Sequence, residues 1–151
     1  GNRSILADPR SKDMKDIINE KVKHRQWYRP FAPAILREEV SKWFVRDIES
    51  PYMGFVIKFK EDVIDKVPAV VHYDGSGRLQ TVREEDNEWF YGLLKKWHEK
   101  SGVPILLNTS FNDREPIVET AEDAIKCFLG TEIDHLYFFD EKILLSKRKS
   151  Q

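Results

Sequence analysis

The run Val103-Pro104-Ile105-Leu106-Leu107 limits most sharply what this chain can become. It is short and unbroken in its apolarity, and it follows Gly102, a residue suited to stopping a helix. A strand that is apolar at successive positions has no face to give to water, so it belongs inside a sheet covered on both sides. Helices layered on a mixed sheet are therefore the expectation.

The 151 residues suit one domain, which at this size withdraws roughly two-thirds of its unfolded surface from water. A 40% apolar and 12% aromatic content excludes a disordered chain. No apolar run approaches the ~18 residues that cross a bilayer. Arg3, Asp8, Arg10, Lys12, Asp13, Lys15 and Asp16 leave no signal-peptide core near the start. One cysteine makes neither an internal disulfide nor a structural zinc site, and a cytoplasmic compartment is expected. The first residue is Gly1 rather than Met, which suggests a piece of a longer protein. The 25 basic and 26 acidic residues cancel to −1, so an anion site must be a local cluster.

Periodicity and punctuation supply the other elements. Asp8-Pro9 reads as the start of a helix near 9–22 carrying Met14, Ile17, Ile18 and Val22. Phe31 to Leu36, broken by Pro33, predicts an edge strand or extended segment. Val40, Trp43 and Phe44 suggest a short helical turn. Gly54 to Phe59 and Ala69 to Tyr73 read as strands, and the turn Asp74-Gly75-Ser76-Gly77 makes 69–82 a hairpin. Trp89, Phe90, Leu93, Leu94 and Trp97 line one helix face that Gly102 ends. Thr120 caps a helix bearing Ala124, Ile125, Phe128 and Leu129, with Gly130 just past its end. Leu136 to Phe139 and Ile143 to Leu145 close the chain as strands. The fold class is α/β (α+β), a twisted mixed sheet with flanking helices, and Lys147-Arg148-Lys149 is a frayed end.

Three segments could carry chemistry. Lys21 to Pro30 packs Lys21, Lys23, Arg25 and Arg29 around Trp27 and Tyr28. Such a cluster suits phosphate, a stacked base, or a merely solvated helix end. Arg78 follows the turn directly, with Gln80 and Val82 on its strand face; it matters only if that face meets the first cluster. Asn108-Thr109-Ser110-Phe111-Asn112 follows the central strand, where α/β sheets place ligands, although these residues also favour ordinary polar turns. His24, His72, His98 and His135 have no metal-ligand spacing. Cys127 reads as a buried inert thiol on its helix. Asp113, Glu115 and Glu119 could touch Mg2+ on a nucleotide or simply suit a helix start.

Taken in order, five motifs form a pattern. Gly1-Asn2-Arg3-Ser4-Ile5-Leu6-Ala7-Asp8-Pro9-Arg10 comes first, then Trp27-Tyr28-Arg29-Pro30-Phe31-Ala32-Pro33. His72-Tyr73-Asp74-Gly75 with Arg78-Leu79-Gln80-Thr81-Val82 follows, then Gly102-Val103-Pro104 with Asn108-Thr109-Ser110-Phe111-Asn112, and last Glu115-Pro116-Ile117-Val118. The whole resembles the C-terminal domain of the O-carbamoyltransferases of nodulation-factor and antibiotic biosynthesis.

That resemblance implies a YrdC-like domain over 1–146, a tail over 147–151, and an actin-like ATPase-type N-terminal transfer domain outside this chain. It implies activation of carbamoyl phosphate with ATP, as its Mg2+ complex, to a carbamoyl-adenylate, with release of phosphate and pyrophosphate. It assigns the carbamoyl-phosphate and ATP site to Lys23, Arg29, Arg78, Asn108 and Ser110, with Lys23, Arg29 and Arg78 as the catalytic cations. Arg78 and Arg29 would clamp the phosphoryl group, Lys23 would bridge toward nucleotide phosphates, and Asn108 and Ser110 would orient the carbamoyl group. A further anion-binding Arg would lie in a Gly-Pro-Arg-Ala-Leu stretch just upstream of Gly1, so the isolated chain could bind weakly and fail to turn over. No protein-held metal and no membrane are expected. The competing reading is a nucleotide- or RNA-binding module of the same fold, which near-zero net charge disfavours.

Overall fold

The computed structural model describes residues 3–26 and 28–148. Its centre is β5, Ile105–Ser110, whose first four residues are all buried. On one side β5 pairs antiparallel with β1, Ser4–Ala7. On the other it pairs antiparallel with β2, Ala32–Leu36. β2 runs parallel to β4, Ser76–Val82, and β4 pairs antiparallel with β3, Phe55–Lys58, so the sheet order is β1-β5-β2-β4-β3. A separate ribbon joins β6, His135–Phe138, to β7, Ile143–Ser146. The mixed sheet with helices against it bears out the α+β class.

Alternation divides the sheet into two faces. Ile5, Ile35, Ile57, Leu79, Ile105 and Leu107 point to one side and join the larger core. Beneath them pack Ile18, Val22, Phe44, Phe59 and Phe128. The opposite face carries Ala34, Leu36, Val82 and Leu106, covered by Phe90 and Leu94 of α3, Glu88–Ser101. The sequence explains α3 well. The Asn87 side chain accepts from Phe90 N–H, and Gly102 at φ 74° takes the left-handed position that ends the helix. α4, Ala121–Gly130, begins at a capping box between Thr120 and Asp123, and Gly130 is its last residue.

Four expectations are corrected. The helix expected near 9–22 is a single turn, α1, Met14–Ile17, continued by a π-helical turn over Ile18–Val22. Asp8 does not cap it. Its carboxylate instead accepts from the backbone N–H and guanidinium of Arg10, and Pro9 is fully buried. β2 is the middle strand of the sheet, not an edge. Leu36 N–H points to Pro104 O of the β5 side at 3.3 Å, so by alternation the Pro33 nitrogen faces β4. The β2–β4 register begins one residue later, at Ala34↔Gln80, and the missing N–H breaks no bond in it.

Residues 69–73 form no strand, so no 69–82 hairpin exists. Pro68–Val70 is a 3-10 turn, and β4 takes β3 as its antiparallel partner. The predicted tight turn is nonetheless real, with Gly75 at φ 78°. Finally, β1 escaped the sequence reading; α2, Val40–Trp43, matches the short turn expected there.

Candidate functional site

β5 runs through Asn108 and Ser110 rather than ending before them. The polar segment expected to be a loop is therefore largely strand, and its side chains have fixed directions. Asn108 faces Ala32 of β2, and Gln80 of β4 faces Ala34. Arg78, Gln80, Asn108 and Ser110 thus share the α3 side of the sheet, at the end that α3 leaves uncovered. Arg78 was expected to matter only if its face met the Lys21–Arg29 cluster; the residues that share its face are instead Gln80, Asn108 and Ser110, and the cluster reaches them through Lys23, which bonds Ser110 O.

Each site residue has a distinct environment. Asn108 is 3% exposed, and its Nδ2 donates to Gln80 Oε1 at 2.6 Å. Its Oδ1 is buried and has no partner. Ser110 Oγ donates to Asn112 Oδ1 at 2.8 Å. Arg78 is exposed; its Nε donates to Met53 O at 3.1 Å, and no carboxylate pairs with it among the described residues.

The turn before Arg78 is tightly held. Asp74 accepts from the Ser76 hydroxyl at 2.6 Å and pairs with Lys58, which together bring its carboxyl down to about 2. Because the single Ser76 proton goes to Asp74, His72 Nδ1, 3.2 Å from Ser76 Oγ, must carry the ring proton of a neutral imidazole. Burial pushes His72 below its ordinary value.

The basic segment splits in two. Lys23 is 3% exposed and turned inward, so the segment presents no continuous basic stripe. Its ammonium donates to Ser110 O at 2.9 Å, to Asn112 O at 2.8 Å and to Asn112 Oδ1, fastening the end of β5. Burial first, and the nearby Arg25 charge second, lower its pKa to about 8. Arg29 is exposed and lies just ahead of Ala32, the register partner of Asn108. Tyr28 is also exposed, while Trp27 lies outside the described residues.

Asn19, which the sequence reading did not single out, buttresses the basic segment. It is fully buried in the π-helical turn, where Nδ2 donates to Arg29 O at 3.1 Å and Oδ1 accepts from Arg25 Nε at 2.8 Å. The signal was available: a lone carboxamide between the apolar Ile18 and Val22. Such π turns recur at functional sites because the extra residue re-aims side chains. Arg25 also lies over the Phe31 ring, and the Arg29 charge helps burial hold its pKa down. Arg25 and Arg29 therefore stand close together with no carboxylate paired to either among the described residues.

The acids proposed for Mg2+ do not converge. Asp113 Oδ1 accepts from His24 Nδ1 at 2.9 Å, while Glu115 is exposed and offers its backbone carbonyl to Asn112. Glu119 is exposed beside the α4 cap. Among the described residues no three His, Cys, Asp or Glu side chains are placed to hold a metal. Cys127 is half-buried on α4, and burial pushes its thiol pKa up. Among the described residues, no helix is long and apolar enough to cross a membrane.

The arrangement brings exposed guanidinium groups and buried carboxamides onto neighbouring elements. Residues 1–147 match the family model described as "Carbamoyltransferase C-terminus". The chain belongs to that family. Among its relatives, nodulation protein NolNO of Sinorhizobium fredii is 47% identical over 140 residues, covering 90% of this chain and 21% of the relative. Nodulation protein NolO of Bradyrhizobium diazoefficiens is 45% identical, covering 90% of this chain and 26% of the relative. An uncharacterized protein of Methanocaldococcus jannaschii is 44% identical, covering 91% and 23%. The chain thus spans about a quarter of the length of these curated relatives. The matched segment includes every residue of the candidate site, from Lys23 to Ser110.

Proposed function

We propose that this domain is the YrdC-like, carbamoyl-activating part of an O-carbamoyltransferase, binding carbamoyl phosphate and Mg-ATP and forming a carbamoyl-adenylate. The observation that carries the reading is the shared sheet face. Arg78, Asn108 and Ser110 project from it where α3 stops, with Arg29 at the entry to β2 and Lys23 behind β5.

Carbamoyl phosphate is a small dianion with an amide at one end. Arg29 and Arg78 have no carboxylate partner among the described residues and are placed to neutralise the phosphoryl oxygens. Preorganised donors of this kind commonly contribute about 3–4 kcal/mol each to a charged transition state. Water cleaves carbamoyl phosphate to phosphate and carbamate. A carbamate oxygen then attacks the α-phosphorus of ATP, and pyrophosphate leaves. Mg2+ arrives on the ATP phosphates and screens their charge. Lys23 positions Ser110 and Asn112 while adding a buried positive charge beneath them. Enclosure protects the labile carbamate from solvent. Transfer to an acceptor hydroxyl belongs to an N-terminal domain of the longer polypeptide, and the acceptor is chosen there.

The test is carbamoyl-phosphate-dependent exchange of pyrophosphate into ATP by the full-length enzyme. Arg78→Ala should lower it by about 100-fold or more while leaving the unfolding midpoint in place. Wild-type exchange in that variant would remove Arg78 from the site. Salt-sensitive RNA binding with no exchange in the wild type would favour the nucleic-acid reading instead.

A further inference from the structure

The structure assigns to Gln80 a specificity role: it orients the Asn108 carboxamide so that a bare buried oxygen reads the amide –NH2 of the substrate. This inference rests on the carbamoyl-phosphate reading above and goes beyond it, because Gln80 belongs to none of the expected site residues.

β4 and β5 lie on either side of β2, two strand spacings or roughly 9–10 Å apart. Side chains on such strands meet only if the strand between them is bare. Here it is: Ala32 and Ala34 occupy the intervening positions on that face. Over them Gln80 Oε1 accepts from Asn108 Nδ2 at 2.6 Å. With Gln80 presenting Oε1, this bond sets the orientation of a group that could otherwise turn over. With Nδ2 committed to Gln80, Asn108 presents Oδ1, which is buried and without a partner. A buried acceptor left bare costs free energy, which folding tolerates when a ligand supplies the donor. On a face that also carries Arg78 and Ser110, an amide-bearing anion is such a ligand. An acyl phosphate with a methyl group in place of the amide has no proton to give and would leave Oδ1 bare, so the site should reject it.

Two stable phosphonates isolate this contact. Phosphonoacetamide carries the amide, and acetonylphosphonate replaces its –NH2 by –CH3 at nearly constant shape. Calorimetric titration of the full-length protein should show the amide bound at least about 10-fold more tightly than the methyl ketone. Gln80→Leu should bring the ratio close to one, chiefly by weakening the amide. Gln80→Glu can only accept, so it keeps Nδ2 facing residue 80 and Oδ1 facing the ligand. It should retain the preference even if its charge weakens both ligands, and this second variant guards against a general packing defect in the first. Equal binding of the two phosphonates by the wild type would overturn the inference and mark Oδ1 as a water site, with the carbamoyl-phosphate reading intact. A preference that survives in Gln80→Leu, or is lost in Gln80→Glu, would also overturn the role of Gln80. Binding of neither phosphonate by the wild type would remove the carbamoyl-phosphate reading, and this inference with it.

Discussion

Along β4 the α3-side face reads Arg78, Gln80, Val82; along β5, in the opposite chain direction, it reads Ser110, Asn108, Leu106. Between them β2 reads Ala32, Ala34, Leu36. β2 and β4 change from polar or small to large and apolar at the Leu36–Val82 row, and β5 does so one row earlier, where Leu106 lies opposite Ala34. The apolar half is closed by Phe90 and Leu94, whereas the polar residues lie outside that cluster. Packing and the recognition proposed above occupy the same strands and are separated only by position along them. A residue's place along the strand, rather than the element it belongs to, decides which of the two it serves.

Substitutions can break or sharpen that division. Leu94 is fully buried against the apolar half. Leu94→Ala should cost about 2–5 kcal/mol in urea unfolding, while the folded fraction keeps its affinity for phosphonoacetamide. Loss of affinity in molecules that remain folded would mean the halves are coupled. Gly77 lies on the opposite face, next to Arg78, where an added Cβ would come within 2.6 Å of the Phe59 ring and 3.1 Å of Pro33. Gly77→Ala should cost about 1–3 kcal/mol and also weaken anion binding, because the strand carrying Arg78 must shift. A variant as stable as the wild type would show that Phe59 gives way freely.

Asn108→Leu extends the apolar half by one position. Its stability should stay within about 1 kcal/mol of the wild type, since an apolar residue replaces a carboxamide that is already half unsatisfied. Phosphonoacetamide binding should fall by about 10-fold or more. Strong destabilisation would instead make Asn108 a structural residue.

The smallest effect concerns Lys23, whose buried ammonium titrates near 8 rather than at the ordinary 10.5. Between those values the unfolded chain holds more protons than the folded one, so stability rises with pH in that window. The contribution is fully present above the unfolded value and lost as pH falls through about 8. Unfolding measured from pH 7.5 to 10.5 should show this rise in the wild type and its absence in Lys23→Met. Parallel curves would mean that the ammonium is better solvated than its surroundings indicate.

The two long helices were legible because their evidence is local: apolar spacing in α3, and helix-end residues at Gly102 and Thr120. Sheet neighbours were much less so. Pro33 argued for an edge, yet the nitrogen it spoils faces a stretch where pairing has not begun. Ser4–Ala7 is too short to announce a strand and becomes one by pairing with β5. Polar Asn108 and Ser110 looked like a turn because turn composition and a polar strand end are alike in sequence. Of the five residues drawn from family resemblance, Arg29, Arg78, Asn108 and Ser110 lie in the quoted motifs and Lys23 in the basic segment, and the shared face of Arg78 and Gln80 could be read from alternation. That Gln80 meets Asn108 could not, because it depends on which strand lies between them and on that strand being alanine there.

The pairing of β1 with β5 also governs how the domain comes into being. Arg3 Nη1 donates to Val118 O across 115 residues of chain, and Ser4 sits opposite Ser110. Contacts of such separation are slow to close, because the entropy of the intervening loop must be overcome before they give anything back. The strand that presents Asn108 and Ser110 therefore gains its outer neighbour only when segments about 100 residues apart in the chain meet. Synthesis must pass β5 before the sheet face that carries Asn108 and Ser110 can be completed.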